Sequence, residues 1–282
     1  MVILSISDSM FKVWLLFPPK PLLTELLQGV LMITIGGRAH TIEEIKKVGR
    51  LNSPFAEISL DDPERIKTEL VELGELKTEF GMYYLAHYPN EGNPNDLKNL
   101  RQNFLPKIKQ LISLSADLDI RKGTMHFWMD KRWAEASVIA AKIEMLAELV
   151  DYAKSCQLVL CLENLSARHD SFSTFFEAIP DLRMTMDIGH GELLSKENTA
   201  YGFMENVFSK IAHVHVHDNR GGNSVKDDLH LSLGDGIVDY PRILSILKDK
   251  GYQSTITMEV KPEDMPHTRK EVEAYICTGD DR

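Results

Sequence analysis

From position 32 onward, short apolar runs alternate with longer amphipathic stretches, and the alternation repeats eight times. The runs are MITIGG (32–37), FAEISL (55–60), MYYLAH (82–87), GTMHFW (123–128), LVLCLEN (158–164), RMTMDIG (183–189), IAHVHVH (211–217) and STITMEV (254–260). Each has strand length. The stretches between them, such as DLKNLRQNFLPKIKQLISLS and AEASVIAAKIEMLAELVDYAKS, repeat apolar residues at three- and four-residue spacing, the pattern of a helix with one buried face. IVDYPRILSILKDKG carries its own punctuation, with Asp239 to cap, Pro241 in the first turn and Gly251 at the stop. Strand–helix units in that number predict a parallel sheet closed on itself, an α/β fold of the (β/α)8 type. At 282 residues the chain is long enough to form it as a single domain.

A closed barrel makes a second demand, because alternate residues of every strand face the axis while the others face the helices. In STITMEV the apolar set Ile256, Met258 and Val260 suits the helices, leaving Thr255, Thr257 and Glu259 for the axis. RMTMDIG likewise sends Arg183, Thr185 and Asp187 inward, and LVLCLEN sends Val159, Cys161 and Glu163. The inward residue nearest each C-terminal end is a carboxylate, and barrel enzymes carry their chemistry at that end.

Histidines join them. IAHVHVHDNRGG places His213, His215 and His217 at every second position. His215 is at the height of the carboxylates; His213, two residues deeper, reads as a hydrogen-bonded core residue, and His217 as a rim group above. His87 ends the third strand, His126 lies in the fourth, His190 follows Asp187, and DDLHLSLGDG supplies Asp228 and His230. Imidazole and carboxylate donors without sulfur suit zinc, manganese, cobalt or iron rather than calcium. Carboxylates buried together in one mouth also repel one another unless cations neutralise them.

The strings CLENL, MDIGH, HVHVHD, DDLHLSLGDG and TITMEV resemble the successive ligand motifs of the xylose isomerase-like TIM barrel superfamily. That superfamily holds sugar phosphate isomerases and epimerases together with the AP endonucleases of the endonuclease IV type. The similarity runs in order from Met32 to about Val260 and is most specific from Leu158. It implies Glu163, Asp187, His215 and Glu259 as metal ligands common to both branches. It also implies His87, His126, His190, Asp228 and His230 as further ligands of a three-metal nuclease site. The expected cofactor is a divalent metal, zinc, manganese or cobalt, as one ion or up to three. For His190, Asp228 and His230 the competing role is hydrogen bonding to a ligand or to substrate, and for His87 and His126 that of satisfied lining histidines. Substrate contacts are expected from His190, His217 and Arg220, although Arg220 equally suits a surface pair with Asp218 or Asp227. His40, His169 and His267 read as exposed. SLGDG lacks phosphate-loop spacing, so Gly234 and Gly236 need only form a turn.

Two activities follow. As a sugar or sugar-phosphate isomerase or epimerase, the chain would use Glu163 and Glu259 from non-adjacent strands to take and return a proton beside a metal-chelated carbonyl. As an AP endonuclease it would hydrolyse DNA at abasic sites, with Tyr88 beside His87 available to stack in the gap, although an aromatic rim serves a sugar face equally well. The first is favoured. LDDPERI, after the second strand, is short and acidic where a duplex wedge would need length, and LSARHDSF, after CLEN, lacks a glycine-rich stretch. The 32 basic residues against 42 acidic ones give a net charge of −10, which argues mildly against a nucleic-acid partner. A barrel that only binds a ligand is disfavoured by the presence of every group the chemistry requires.

Cys156, Cys161 and Cys277 are an odd number without paired spacing, which fits a reducing cytoplasm. Residues 1–31 are apolar in patches, but Lys12 and Pro18, Pro19 and Pro21 break them, well short of the roughly 18 unbroken residues a membrane span needs. No cleavable targeting pattern is visible. The segment reads as an appendage, or as translation from an upstream start, ahead of a barrel over 32–282. A homodimer is expected from the resemblance alone.

Overall fold

The structure, a computed structural model, describes residues 33–276. The strands are β1 (Thr34–Ala39), β2 (Phe55–Ser59), β3 (Tyr83–His87), β4 (Lys122–Met125), β5 (Val159–Glu163), β6 (Arg183–Asp187), β7 (Ile211–Val216) and β8 (Thr255–Met258). Each pairs in parallel with the next, and β8 returns to β1 to close the barrel. After them come α1 (Ile42–Arg50), α2 (Pro63–Phe80), α3 (Leu105–Asp117), α4 (Ala136–Ser155), α5 (His169–Ala178), α6 (Ala200–Asn206), α7 (Tyr240–Asp249) and α8 (Met265–Ile276). A short helix, Leu97–Asn99, and a π-helical turn, Leu100–Phe104, lead into α3. No helix among the described residues is long and apolar enough to cross a membrane.

The helix ends follow their local chemistry. The Asp239 carboxylate accepts from the Arg242 N–H at the start of α7, Pro241 occupies the first turn, and Gly251, at φ 73°, turns the chain out of the last one. Asp62 and Pro63 open α2 in the same way.

Strand ends differ from the expected runs in three informative places. β1 extends two residues beyond MITIGG, which carries Arg38 to the upper barrel. β4 stops at Met125 and β8 at Met258, so His126 and Glu259 stand on the loops just above their strands. Met32, the expected appendage 1–31 and Cys277 lie outside the described residues.

Alternation sorts the core into two media. Leu160, Leu162, Met184, Met186, Ile256 and Met258 are buried between strands and helices. The barrel interior is polar: Glu57, Thr124, Thr185, His213 and Thr257 are at most 1% exposed, where Val, Ile and Leu are the usual lining. Such groups are tolerated only when paired, and they are, as in the 2.8 Å bond between the Thr124 and Thr185 hydroxyls. Register then stacks the layers. Thr185, His213 and Thr255 lie side by side, and one step higher Asp187, His215 and Thr257 do the same.

Candidate metal centre

The ends of β5, β6 and β7 and the loop after β8 bring Glu163, Asp187, His215 and Glu259 to one point, their donor atoms all within 4.8 Å of one another. The Nδ1 atom of His215 lies 3.1 Å from Glu163 Oε1, 3.4 Å from Glu259 Oε1 and 3.8 Å from Asp187 Oδ2. None of the four residues is more than 6% exposed, so water cannot screen the three carboxylates from one another. The charge balance shows in the titration of the group. Burial opposes the charge on His215, yet the carboxylates of Glu259, Glu57 and Glu163 hold its pKa well above the ordinary imidazole value. Burial likewise disfavours ionised Glu259, but His215 leads the groups that bring it down to about 2.

Glu163 is shared between neighbouring groups. Its Oε2 is 2.8 Å from His126 Nε2 and 3.3 Å from His87 Nε2, while Oε1 faces His190 Nδ1 at 3.3 Å as well as His215. The loop after β3 aims these rings: the Asn90 carboxamide oxygen bonds His126 Nδ1, and the Tyr88 carbonyl bonds His87 Nδ1 at 3.1 Å. A further cluster joins His190, His217, Asp228 and His230. Asp228 Oδ2 is 3.1 Å from both His190 Nε2 and His230 Nε2. Against the cost of burial, the bond to Asp228 lifts His230 to about 9. The five expected additional ligands, His87, His126, His190, Asp228 and His230, thus all lie around the central four.

Above them opens a cavity of 390 Å³, lined by Arg38, His87, His190, His230 and Glu259 among others. Arg38, only 6% exposed, sets its Nε 3.2 Å from Glu259 Oε1 and ties its other nitrogens to the Glu57 carbonyl and the Ser59 hydroxyl. A larger hollow of 920 Å³ runs past Arg168, Lys196 and Thr199 and includes none of these acids or imidazoles.

Three expectations are corrected. Arg220 is exposed and does not line the cavity. Nor does it pair on the surface as expected, since Asp218 is spent on the N–H groups of Asn219, Gly234 and Val238, and Asp227 on those of Asn223 and Ser224. His217, expected on the rim as a substrate contact, is fully buried with Nε2 3.1 Å from Asp187 Oδ1. The chain folds back after β7 through an Asp218–Leu231 bridge and lays the His230 ring over it at 4.2 Å. Tyr88 is 1% exposed and bonds the Ser115 hydroxyl at 2.8 Å, so it presents no rim aromatic. His190 is buried at the cavity floor, while His40 is exposed beside it.

Arg38, Glu57 and Asn90 were not anticipated. The alternation test applied to FAEISL would have flagged Glu57, since Phe55, Glu57 and Ser59 share a face while Ala56, Ile58 and Leu60 share the other. Glu57 sits just beneath the centre, its carboxylate within 3.1 Å of His215 Nε2 and 2.8 Å of His213 Nε2.

Comparison with known proteins gives this arrangement a setting. The family model described as xylose isomerase-like TIM barrel matches residues 47–275. The uncharacterized protein MJ1311 of Methanocaldococcus jannaschii is 26% identical over 203 residues, 67% of this chain and 68% of that protein. Among solved structures, a D-tagatose 3-epimerase-like protein superposes with a TM-score of 0.74 at 23% identity, over 86% of this chain and 97% of the other. The D-psicose 3-epimerase of Clostridium cellulolyticum H10, solved with D-tagatose, superposes at 0.64 with 16% identity, over 89% and 93%.

Proposed function

Since the chain belongs to the xylose isomerase-like TIM barrel family, we propose that it is a divalent-metal-dependent isomerase or epimerase of a sugar or sugar phosphate. The observation that carries this reading is the convergence of Glu163, Asp187, His215 and Glu259 beside a recessed 390 Å³ cavity that Glu259 itself lines, a volume suited to a small polar molecule. The epimerase names of the superposed proteins agree with it.

The donor set fits zinc, manganese or cobalt: imidazole and carboxylate without sulfur, with negative charge that the facing histidines offset only in part. Glu163, Asp187, His215 and Glu259 would hold the ion. When bound there, a divalent ion supplies Lewis acidity to the substrate's carbonyl and neighbouring hydroxyl. Glu259 lines the cavity and stays ionised at neutral pH, as a base requires. Held by Arg38, it takes the proton from the carbon beside the carbonyl. Glu163, from a non-adjacent strand, would deliver a proton to the opposite side, drawn from the His126 ring that faces its Oε2 at 2.8 Å, while Glu259 gives up the one it has taken to solvent in the cavity. His190 and His230 border the cavity and offer hydrogen bonds to substrate hydroxyls. Glu163→Gln and Glu259→Gln are each expected to abolish isomerisation of a ketose panel assayed at saturating manganese, where bound metal stays largely intact. Full turnover in either variant refutes the assignment.

A second reading has one specific observation in its favour. Glu163 divides its two oxygens between two pairs of histidines, and the His190–His217–Asp228–His230 cluster adds a third group of donors, which is what a phosphodiesterase holding three cations would require. Against it, β2 and α2 are joined by residues 60–62 alone, too little chain to wedge into a duplex, and Tyr88 is unavailable for stacking. Nicking of an abasic duplex in the presence of zinc, with three tightly held ions per chain, would favour this reading. One exchangeable ion with ketose isomerisation favours the first.

A further inference from the structure

Beneath Glu163, Asp187, His215 and Glu259 a continuous line of buried hydrogen bonds runs to the bottom of the barrel, with an obligatory donor at its foot. At the lower end the Lys122 ammonium reaches the Ala212 carbonyl at 2.7 Å, the Ser254 hydroxyl at 2.9 Å and the Thr255 hydroxyl at 2.8 Å. An ammonium has three hydrogens and no acceptor. The Thr255 oxygen therefore receives a hydrogen from Lys122, which leaves its own hydrogen available to His213 Nδ1, 2.6 Å away. An imidazole that accepts at Nδ1 carries its proton on Nε2. Its Nε2–H then donates to Glu57 Oε2 at 2.8 Å. The Thr257 hydroxyl donates to the same oxygen at 2.6 Å.

Glu57 is left as a fully buried carboxylate with the two oxygens facing His215 Nε2 at 3.1 and 3.0 Å. A carboxylate only accepts, so this nitrogen of His215 must carry a hydrogen. Resting on the reading of the four ligands above, we infer that Glu57 is a positioning residue that fixes His215 as an Nδ1 metal ligand, with the line to Lys122 setting the tautomers on which it depends. The Nδ1 atom is the one that faces Glu163, Glu259 and Asp187. A hydrogen-bonded carboxylate behind a ligating imidazole locks the ring and raises its basicity, and loss of such a partner costs about 10–100-fold in metal affinity. Glu57, His213 and His215 could themselves be taken for a cation site, since their donor atoms also lie within 4.8 Å. In that trio, however, both nitrogens of His213 are already engaged, one with Thr255 and one with Glu57.

The test uses the full chain, zinc and no sugar. Glu57→Gln keeps the shape but replaces one acceptor with a donor, and it is expected to weaken zinc affinity, measured by competition with a chromophoric chelator, by about 10–100-fold at unchanged stoichiometry. In the zinc-loaded wild type, a ¹⁵N–¹H correlation spectrum of the imidazoles, assigned with His215→Gln, is expected to place the hydrogen of His215 on Nε2 and the metal on Nδ1. The inference is overturned by unchanged affinity in Glu57→Gln, by loss of one whole equivalent of zinc, which would make Glu57 a ligand, or by His215 bound through Nε2. Should Glu57→Gln fail to fold, the wild-type spectrum alone decides. A protein that isomerises no ketose but behaves this way would retain the inference and lose only the proposed activity.

Discussion

Removing metal and raising the pH from 6.5 to 9 is expected to destabilise the protein, and the size of the fall can be worked from the histidines of the site. His230 rises from 6.5 to about 9; burial opposes the change, and the bond to Asp228 and the charge of Glu259 outweigh it. At about 1.36 kcal/mol per pH unit that is ~3.4 kcal/mol at face value. The side chain is 40% exposed, and solvent screening reduces the figure to about 1–2 kcal/mol. His190 and His215, fully enclosed by acids, are displaced in the same direction. Because the folded state holds these protons more tightly than the unfolded chain, their stabilisation is complete below pH 6.5. It is lost as pH climbs through the raised values. Groups moved the other way act elsewhere: neutral His213, His87 and His40 matter below 6.5, and Glu57, Glu163, Glu259 and Asp228 only as pH falls below 4.5. Lys122 and Lys142, depressed by burial, oppose the fall near its upper end and cap it. Urea unfolding of chelator-treated protein, followed by circular dichroism at pH 6.5, 7.5 and 9, should show a loss of at least about 1 kcal/mol. Saturating zinc should reverse the trend, because metal and protons compete for the same nitrogens. Metal-free protein that is equally stable or more stable at pH 9 would refute the charge balance described for the site.

Three substitutions probe the supports of the site. Lys142 is fully buried, 3.0 Å from Glu91 Oε1, 2.6 Å from the Trp128 carbonyl and 4.2 Å from the centre of the Phe127 ring. Lys142→Met strands the Glu91 charge and should cost about 3–5 kcal/mol in denaturant unfolding, with much of the loss recovered on adding Glu91→Gln. Gly189→Ala would put a methyl 2.1 Å from the His217 ring; a drop of about 1–3 kcal/mol, with weaker zinc binding at the His190–His217–Asp228–His230 cluster in calorimetric titration, is the expected result. Arg38→Met releases Glu259 from its guanidinium and should lower kcat by about tenfold or more, read in the same ketose assay, with substrate KM little changed.

How far the sequence discloses such a site depends on whether a residue's role is written in its own strand. Glu163, Asp187 and Glu259 are legible because each is the polar member at the end of an alternating run, and alternation is a property of a few consecutive residues. The (β/α)8 closure is legible for the same reason, eight times over. Glu57 obeys the same rule within FAEISL but looks like an isolated acid in an apolar run, because the histidines that explain it lie 156 and 158 positions away. Arg38 is hidden differently: its significance depends on β1 running two residues past the apolar stretch, a boundary set by pairing with β2 rather than by composition. His217 is the converse case. Its alternation with His215 correctly marks an inward residue, yet what stands above it is decided by the Asp218–Leu231 bridge, which no periodicity in IAHVHVH encodes. A buried polar residue is thus interpretable from sequence only as far as its partner is local. In a barrel whose axis is lined with acids and imidazoles, the groups that orient those side chains are distant in the chain by construction, since neighbouring strands are separated by whole helices.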